Sequence, residues 1–129
     1  MTLHNELKTA IVALWDNITF TTDTPLYYVE APQTTDYQYA VFSFFADTYS
    51  FDSGNEWEEV YFQIAIYNDN NSSGQVGVTE SEVIEAFKTT LTTTNYTQIQ
   101  LVRLNKRYAQ SEDDVWQTII EYRVEFQHD

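Results

Sequence analysis

The sequence predicts an α+β domain: an antiparallel or mixed sheet of four to five strands with two amphipathic helices packed on one face. Three observations predict it. Val60, Phe62, Ile64 and Ile66 alternate with Tyr61, Gln63, Ala65 and Tyr67, the period of a half-buried strand. That run passes through a polar stretch, Asn68 to Gly74, into Val83, Ile84, Phe87 and Leu91 at helical spacing. Near the C-terminus, Trp116, Thr118, Ile120, Tyr122, Val124 and Phe126 share one face while Gln117, Glu121, Arg123, Glu125 and Gln127 share the other. One face of that strand is buried and one is wet.

Each element has a local reason. Leu3, Leu7, Ile11, Leu14 and Ile18 recur at three- and four-residue steps, predicting a helix from Thr2 to Ile18 with Thr2 as its cap. The Thr-rich run Thr19 to Thr24 ends it. Pro25 and Pro32 frame a short strand suited to a sheet edge or a loop. From Tyr37 to Ala46, Val41, Ser43 and Phe45 fall on one side and Ala40, Phe42 and Phe44 on the other. Apolar groups on both sides imply that helices or a partner chain cover both faces.

Asp47 to Trp57 reads as a hairpin with Asp52, Ser53 and Gly54 at its tip. Its aromatics Tyr49, Phe51 and Trp57 either fold back or form an arm that packs on another subunit. Thr79 with Glu82 three residues on has the spacing of a capping box and predicts the start of the second helix. After a break at Thr92 to Asn95, Tyr96 to Leu104 is a strand, Asn105 to Asp113 a charged connection, and Asp114 to Gln127 the final strand.

At 129 residues with 43% hydrophobic side chains, ten Tyr and eight Phe, the chain fits one domain and is too apolar for disorder despite a formal charge of −14. The absence of cysteine removes disulfides, thiolate metal sites and cysteine nucleophiles together. No segment approaches the ~18 apolar residues of a membrane span. Twenty acidic residues against six basic ones oppose attraction to a nucleic-acid backbone. They leave solubility, a basic partner, imitation of DNA, or the lining of a passage that DNA crosses without sticking.

Little in the sequence points to catalysis. His4 and His128 sit at opposite chain ends and read as solvated surface residues. No serine lies in a nucleophile elbow, and three glycines are too few for Walker or dinucleotide fingerprints. Adjacent carboxylates such as Glu58 and Glu59 point to opposite sides of an extended strand. The expectation is a non-enzyme without a cofactor. Asp69, Asn71, Ser73 and Glu80, with Gly74 between, follow EF-hand calcium-loop spacing. A strand enters where an EF-hand has a helix, and Asn, Ser and Gly are ordinary turn residues, so no metal site is favoured.

The order of elements and several phrases together resemble the tail-terminator (tail-completion) proteins of long-tailed bacteriophages and related minor tail and neck proteins. The phrases are the opening helix Leu3–Trp15, Ala31-Pro32-Gln33 leading to Tyr39–Phe45, Val60–Asn68, Glu82–Leu91, and the closing strand Trp116–Phe126. The resemblance spans nearly the whole chain. It implies a virion protein, made in the host cytoplasm, that forms a hexameric homo-oligomeric ring capping the tail tube protein and docking the head connector or stopper protein. DNA would pass without specific binding. In such a ring Tyr49, Phe51 and Trp57 would meet the neighbouring subunit, and Asp47, Asp52, Glu56, Asp113 and Asp114 would line the passage. The alternatives are another neck or head–tail joining protein, an acidic DNA mimic or inhibitor of a basic protein, and a small-ligand binding domain.

Overall fold

The computed structural model describes residues 2–32, 36, 38–69, 73–110 and 115–129. In chain order the elements are α1 (Leu3–Asp16), β1 (Leu26–Tyr28), β2 (Tyr39–Asp52), β3 (Asn55–Asp69), α2 (Ser73–Ala86), β4 (Tyr96–Gln110) and β5 (Val115–His128). The strands form one sheet in the order β1-β2-β3-β5-β4. β1 runs parallel to β2 and every other pair is antiparallel, so the sheet is mixed and the predicted α+β class holds.

Both helices lie on the same face. Thr2 is extended and its Oγ1 accepts the Asn5 N–H at 3.3 Å, which caps α1 as its position predicts. Leu3, Leu7, Ala10, Ile11 and Trp15 of α1, with Val83, Phe87 and Leu91 of and beyond α2, pack on Ala40, Phe42, Val60, Phe62, Ile64, Ile66, Ile120, Tyr122, Val124 and Phe126. At the centre Phe62 stacks on Tyr122 with ring centroids 5.2 Å apart, and Phe87 lies 5.4 Å from Tyr122. Burying each such side chain stabilises the fold by about 1.5–3 kcal/mol. The opposite face carries no helix among the described residues; there Tyr39 stacks on Tyr67 at 5.0 Å and Gln117 Nε2 donates to Tyr67 Oη at 2.9 Å.

Buried polar contacts fix how the helices sit. Gln38 Nε2 donates to Thr24 Oγ1 at 2.9 Å and to Thr79 Oγ1 at 2.5 Å, while its Oε1 accepts from Asn68 Nδ2 at 2.7 Å. This joins the segment after α1, the end of β3 and the middle of α2. Glu6 is buried on α1 and accepts the backbone N–H groups of Thr94 and Asn95 and the side-chain amide of Asn95. The Thr94 N–H, ahead of the opposing desolvation, holds the Glu6 carboxyl below its ordinary value.

Two sequence expectations are corrected, and a third feature is one that the sequence does not show. Helix α2 begins at Ser73, so Thr79 is a buried mid-helix residue that serves Gln38, and no capping box forms. Glu82 instead accepts the Thr21 N–H at 3.1 Å and the Thr21 hydroxyl at 3.2 Å. The early turns contain Gly74 and Gly77, poor helix formers that hide the start from propensity. Second, β4 continues to Gln110, so most of the supposed charged connection is strand. Register shifts at Gln98/Gln100 and Arg103/Asn105 break its period of two. Third, a shift at Phe44/Ala46 makes Phe45 the extra residue and moves Asp47, Tyr49 and Phe51 onto the helix-bearing face, opposite Val60, Glu58 and Glu56.

The parallel edge is short for a local reason. Val29 has φ 71, a conformation costly for a β-branched residue, held by its N–H donating to Phe42 O at 2.9 Å. β1 therefore pairs with only Ala40 to Phe42, and the outer edge of β2 is open from Ser43 onward among the described residues.

Phe62→Ala should cost about 3–5 kcal/mol in urea unfolding, because it empties the centre of the aromatic layer. Because the Glu6 pKa is depressed in the folded state, its contribution is present above the ordinary value of 4.5 and lost as pH falls through the lower folded value. A Tm-versus-pH series should therefore show less acid loss in Glu6→Gln than in the wild type, with a lower Tm at pH 7.

Candidate functional site

The β2–β3 hairpin turns on two residues, Ser53 (φ 51) and Gly54 (φ 83), both left-handed as a two-residue hairpin loop of this twist requires. Pairing runs without a break from Phe51↔Glu56 to the last pair, Asp52↔Asn55. The supposed arm is thus the end of the sheet. Tyr49 and Phe51 are exposed on the helix-bearing face, whereas Trp57, paired with Ser50, is half-buried on the other. The structure does not gather the three aromatics into one patch.

Near the tip an acidic cluster forms around a histidine. His128 Nδ1 lies 3.2 Å from Glu56 Oε2 and His128 Nε2 lies 2.9 Å from Glu58 Oε1. Both nitrogens donate only as the imidazolium, so protonation satisfies both glutamates together. Tyr96 packs edge-on against the ring at 4.8 Å and Tyr49 at 6.0 Å. Desolvation of its carboxyl, then the hydrogen bond and charge of Glu58, push Asp47 up to about 7, with His128 opposing. His4 is also engaged: Tyr28 Oη is 2.9 Å from its Nε2, and Phe44 packs on it at 4.6 Å. His4 is exposed, as the sequence suggests, whereas His128 is half-buried within the cluster.

Of the expected passage-lining residues, Asp47 and Glu56 share this cluster and Asp52 sits beside the turn, its Oδ1 accepting from Ser53 Oγ at 3.2 Å. Asp113 and Asp114 lie outside the described residues; Val115, which follows them, pairs with Asp69, at the far end of β3 from the tip. The calcium-loop spacing does not describe a loop here. Ser73 to Glu80 are helical, Asn71 lies outside the described residues, and Glu80 Oε1 is held by Lys106 Nζ at 2.5 Å and Tyr108 Oη at 2.8 Å. Among the described residues no group of three or more His, Asp or Glu is arranged to hold a metal ion.

Sequence reasoning missed the sheet's two long edges. β4 is one, fifteen residues long, and the outer half of β2 is the other. Both carry apolar residues at their bulges: Phe45 on β2 is 50% exposed, and Ile99 and Leu104 on β4 are 49% and 41% exposed. Their charges differ. β2 holds Asp47 and Asp52, with Glu56, Glu58, Glu59 and Asp69 on its inner neighbour β3 and no Lys or Arg on either strand, whereas β4 holds Arg103, Lys106 and Arg107 and no acidic residue. Glu80 pairs with Lys106, and Glu121 with Arg107 at 3.1 Å. Arg103 makes no ion pair among the described residues. Only bulge positions, invisible to a period-two reading, could have signalled these edges.

Because the Asp47 pKa is raised from 3.8 in the folded state, the penalty of desolvating its carboxylate beside Glu58 is full above about pH 7 and relieved as pH falls toward 4. Asp47→Asn should therefore raise Tm at pH 8 and leave it unchanged near pH 4, as thermal melts at the two values would show.

No protein-family model and no curated protein matches the chain. Among solved structures, a chain of the "Virion of native gene transfer agent (GTA) particle" is similar over 96% of this chain and 90% of its own, with a TM-score of 0.65 and 15% sequence identity. At that identity the likeness is one of fold.

Proposed function

We propose that this chain is a virion structural protein of a phage or phage-like particle, acting without catalysis as a tail terminator. Copies assemble head to tail into a ring, expected to be a hexamer, that caps the tail tube and offers the head connector its docking surface. The observation that carries this reading is the pair of unlike open edges on one sheet. An exposed edge invites strand addition. The β2 edge is acidic with Phe45 at its bulge, and the β4 edge is basic with Ile99 and Leu104 at its bulges, so the β2 edge of one copy complements the β4 edge of the next. Unlike surfaces joined this way give heterologous contacts, which generate rings when the rotation closes. The shared fold of the gene transfer agent virion chain supports a virion setting. The net charge of −14 suits a passage that DNA crosses, since like charge keeps phosphates from adhering.

An acidic inhibitor or DNA mimic would use its carboxylates on a foreign basic protein and needs no basic edge of its own. Three of the six cations stand on β4 and a fourth, Arg123, on its neighbour β5, which favours the ring.

Light scattering coupled to size exclusion should give a closed oligomer at low salt that weakens as ionic strength rises. Phe45→Asp and Leu104→Asp should each yield folded monomers. A strictly monomeric wild type at high concentration would sink the ring. In particles lacking the gene, overlong tails identify a terminator, whereas normal tails without heads identify a joining protein.

A further inference from the structure

A cavity of ≈570 Å³ opens between the end of α2 and the β4–β5 pair, lined by Ile84, Phe87, Lys88, Leu101, Arg103 and Tyr122. Its chemistry is lopsided. Tyr122 is 2% exposed and its hydroxyl is buried with no hydrogen-bond partner, one of two such side-chain atoms among the described residues. A buried hydroxyl left unmade is costly, so in native proteins each asks for a partner. Arg103 pairs directly across from Tyr122 in the sheet and makes no ion pair among the described residues. Lys88 stands at the rim in an exposed contact with Glu85 at 3.0 Å, of the kind that contributes little and exchanges readily. The walls are apolar: Ile84, Phe87 and Leu101.

We propose that this cavity is a carboxylate-binding socket whose occupant is an acidic side chain from the β2–β3 hairpin of a second copy of the chain. Arg103 and Lys88 line the same cavity as Tyr122 and its apolar neighbours, a set that matches a carboxylate carried on a short aliphatic stem. Burial pushes Tyr122 up to about 12, so its hydroxyl remains a donor through the neutral range. The occupant follows from charge: the hairpin carries Asp47, Asp52, Glu56, Glu58, Glu59 and Asp69 with no cation, and the socket opens beside the β4 edge. This inference rests on the head-to-tail ring proposed above.

Tyr122→Phe separates the socket from a mere packing defect. Removing an orphaned hydroxyl should leave the monomer as stable or more so, yet weaken the association constant of copies at least tenfold if a carboxylate was to be received. Arg103→Gln should weaken association similarly. Carbodiimide coupling of wild-type oligomers should join Lys88 of one copy to a 47–59 carboxylate of the next. An oligomer that forms equally well in both variants, with Lys88 coupled only to Glu85, overturns the socket and leaves the ring standing. A wild type monomeric at every concentration overturns the ring and the socket with it.

Discussion

The governing constraint is a mismatch of lengths. Four strands of fourteen or fifteen residues span about 45–50 Å, while two helices of fourteen residues reach about 21 Å each. The helices can cover only part of one face. Where they do, the sheet is dense with Phe42, Phe62, Ile64, Ile120, Tyr122 and Val124, all essentially inaccessible. Beyond them the same face changes character. Toward the hairpin it becomes Asp47, Tyr49, Glu56, Glu58 and His128, and along β4 it becomes Arg103, Lys106 and Tyr108. The uncovered remainder holds the His128 cluster and both charged strand edges.

Placement of that partial cover depends on polar groups more than on apolar area. Apolar packing is non-directional and would tolerate sliding of a helix along the sheet. Gln38, with partners on three segments, and Glu6, which receives the backbone after α2, are directional. Trp15 adds a third tie, its Nε1–H donating to Thr24 O at 2.8 Å. Each is buried, so a displaced helix would strand several donors at once. These ties hold the two helices to one stretch of the sheet and leave the rest bare.

Much of the fold was legible because β3 and β5 keep an unbroken period of two and α1 an unbroken helical spacing. The burial of the two strands follows the pattern except at Ala65 and Ile119, which are buried on the other face. Legibility failed where the chain inserts a residue. Phe45, Ile99 and Leu104 each reverse the facing of everything that follows until the next irregularity, so Tyr49 and Phe51 fall on the opposite side from a simple extrapolation. The basic socket was invisible for another reason: Lys88, Arg103 and Tyr122 are far apart in sequence and share one cavity only once β4 pairs with β5 and the end of α2 packs beside them. The Thr79–Glu82 spacing was a true local signal for polar bonding, but both residues spend it on distant partners, Gln38 and Thr21.

The uneven distribution of charge also restricts how copies can meet. Two β2–β3 hairpins laid edge to edge would bring twelve carboxylates together, six from each, with no lysine or arginine in either. Such a twofold pairing is penalised by its own field. A surface that repels its like and attracts its unlike gives every contact a direction, from one copy to the next, and so confers a polarity on whatever is built. Chemistry sets that sense of rotation; the angle between successive copies alone decides whether the series closes on itself or runs on as a helix.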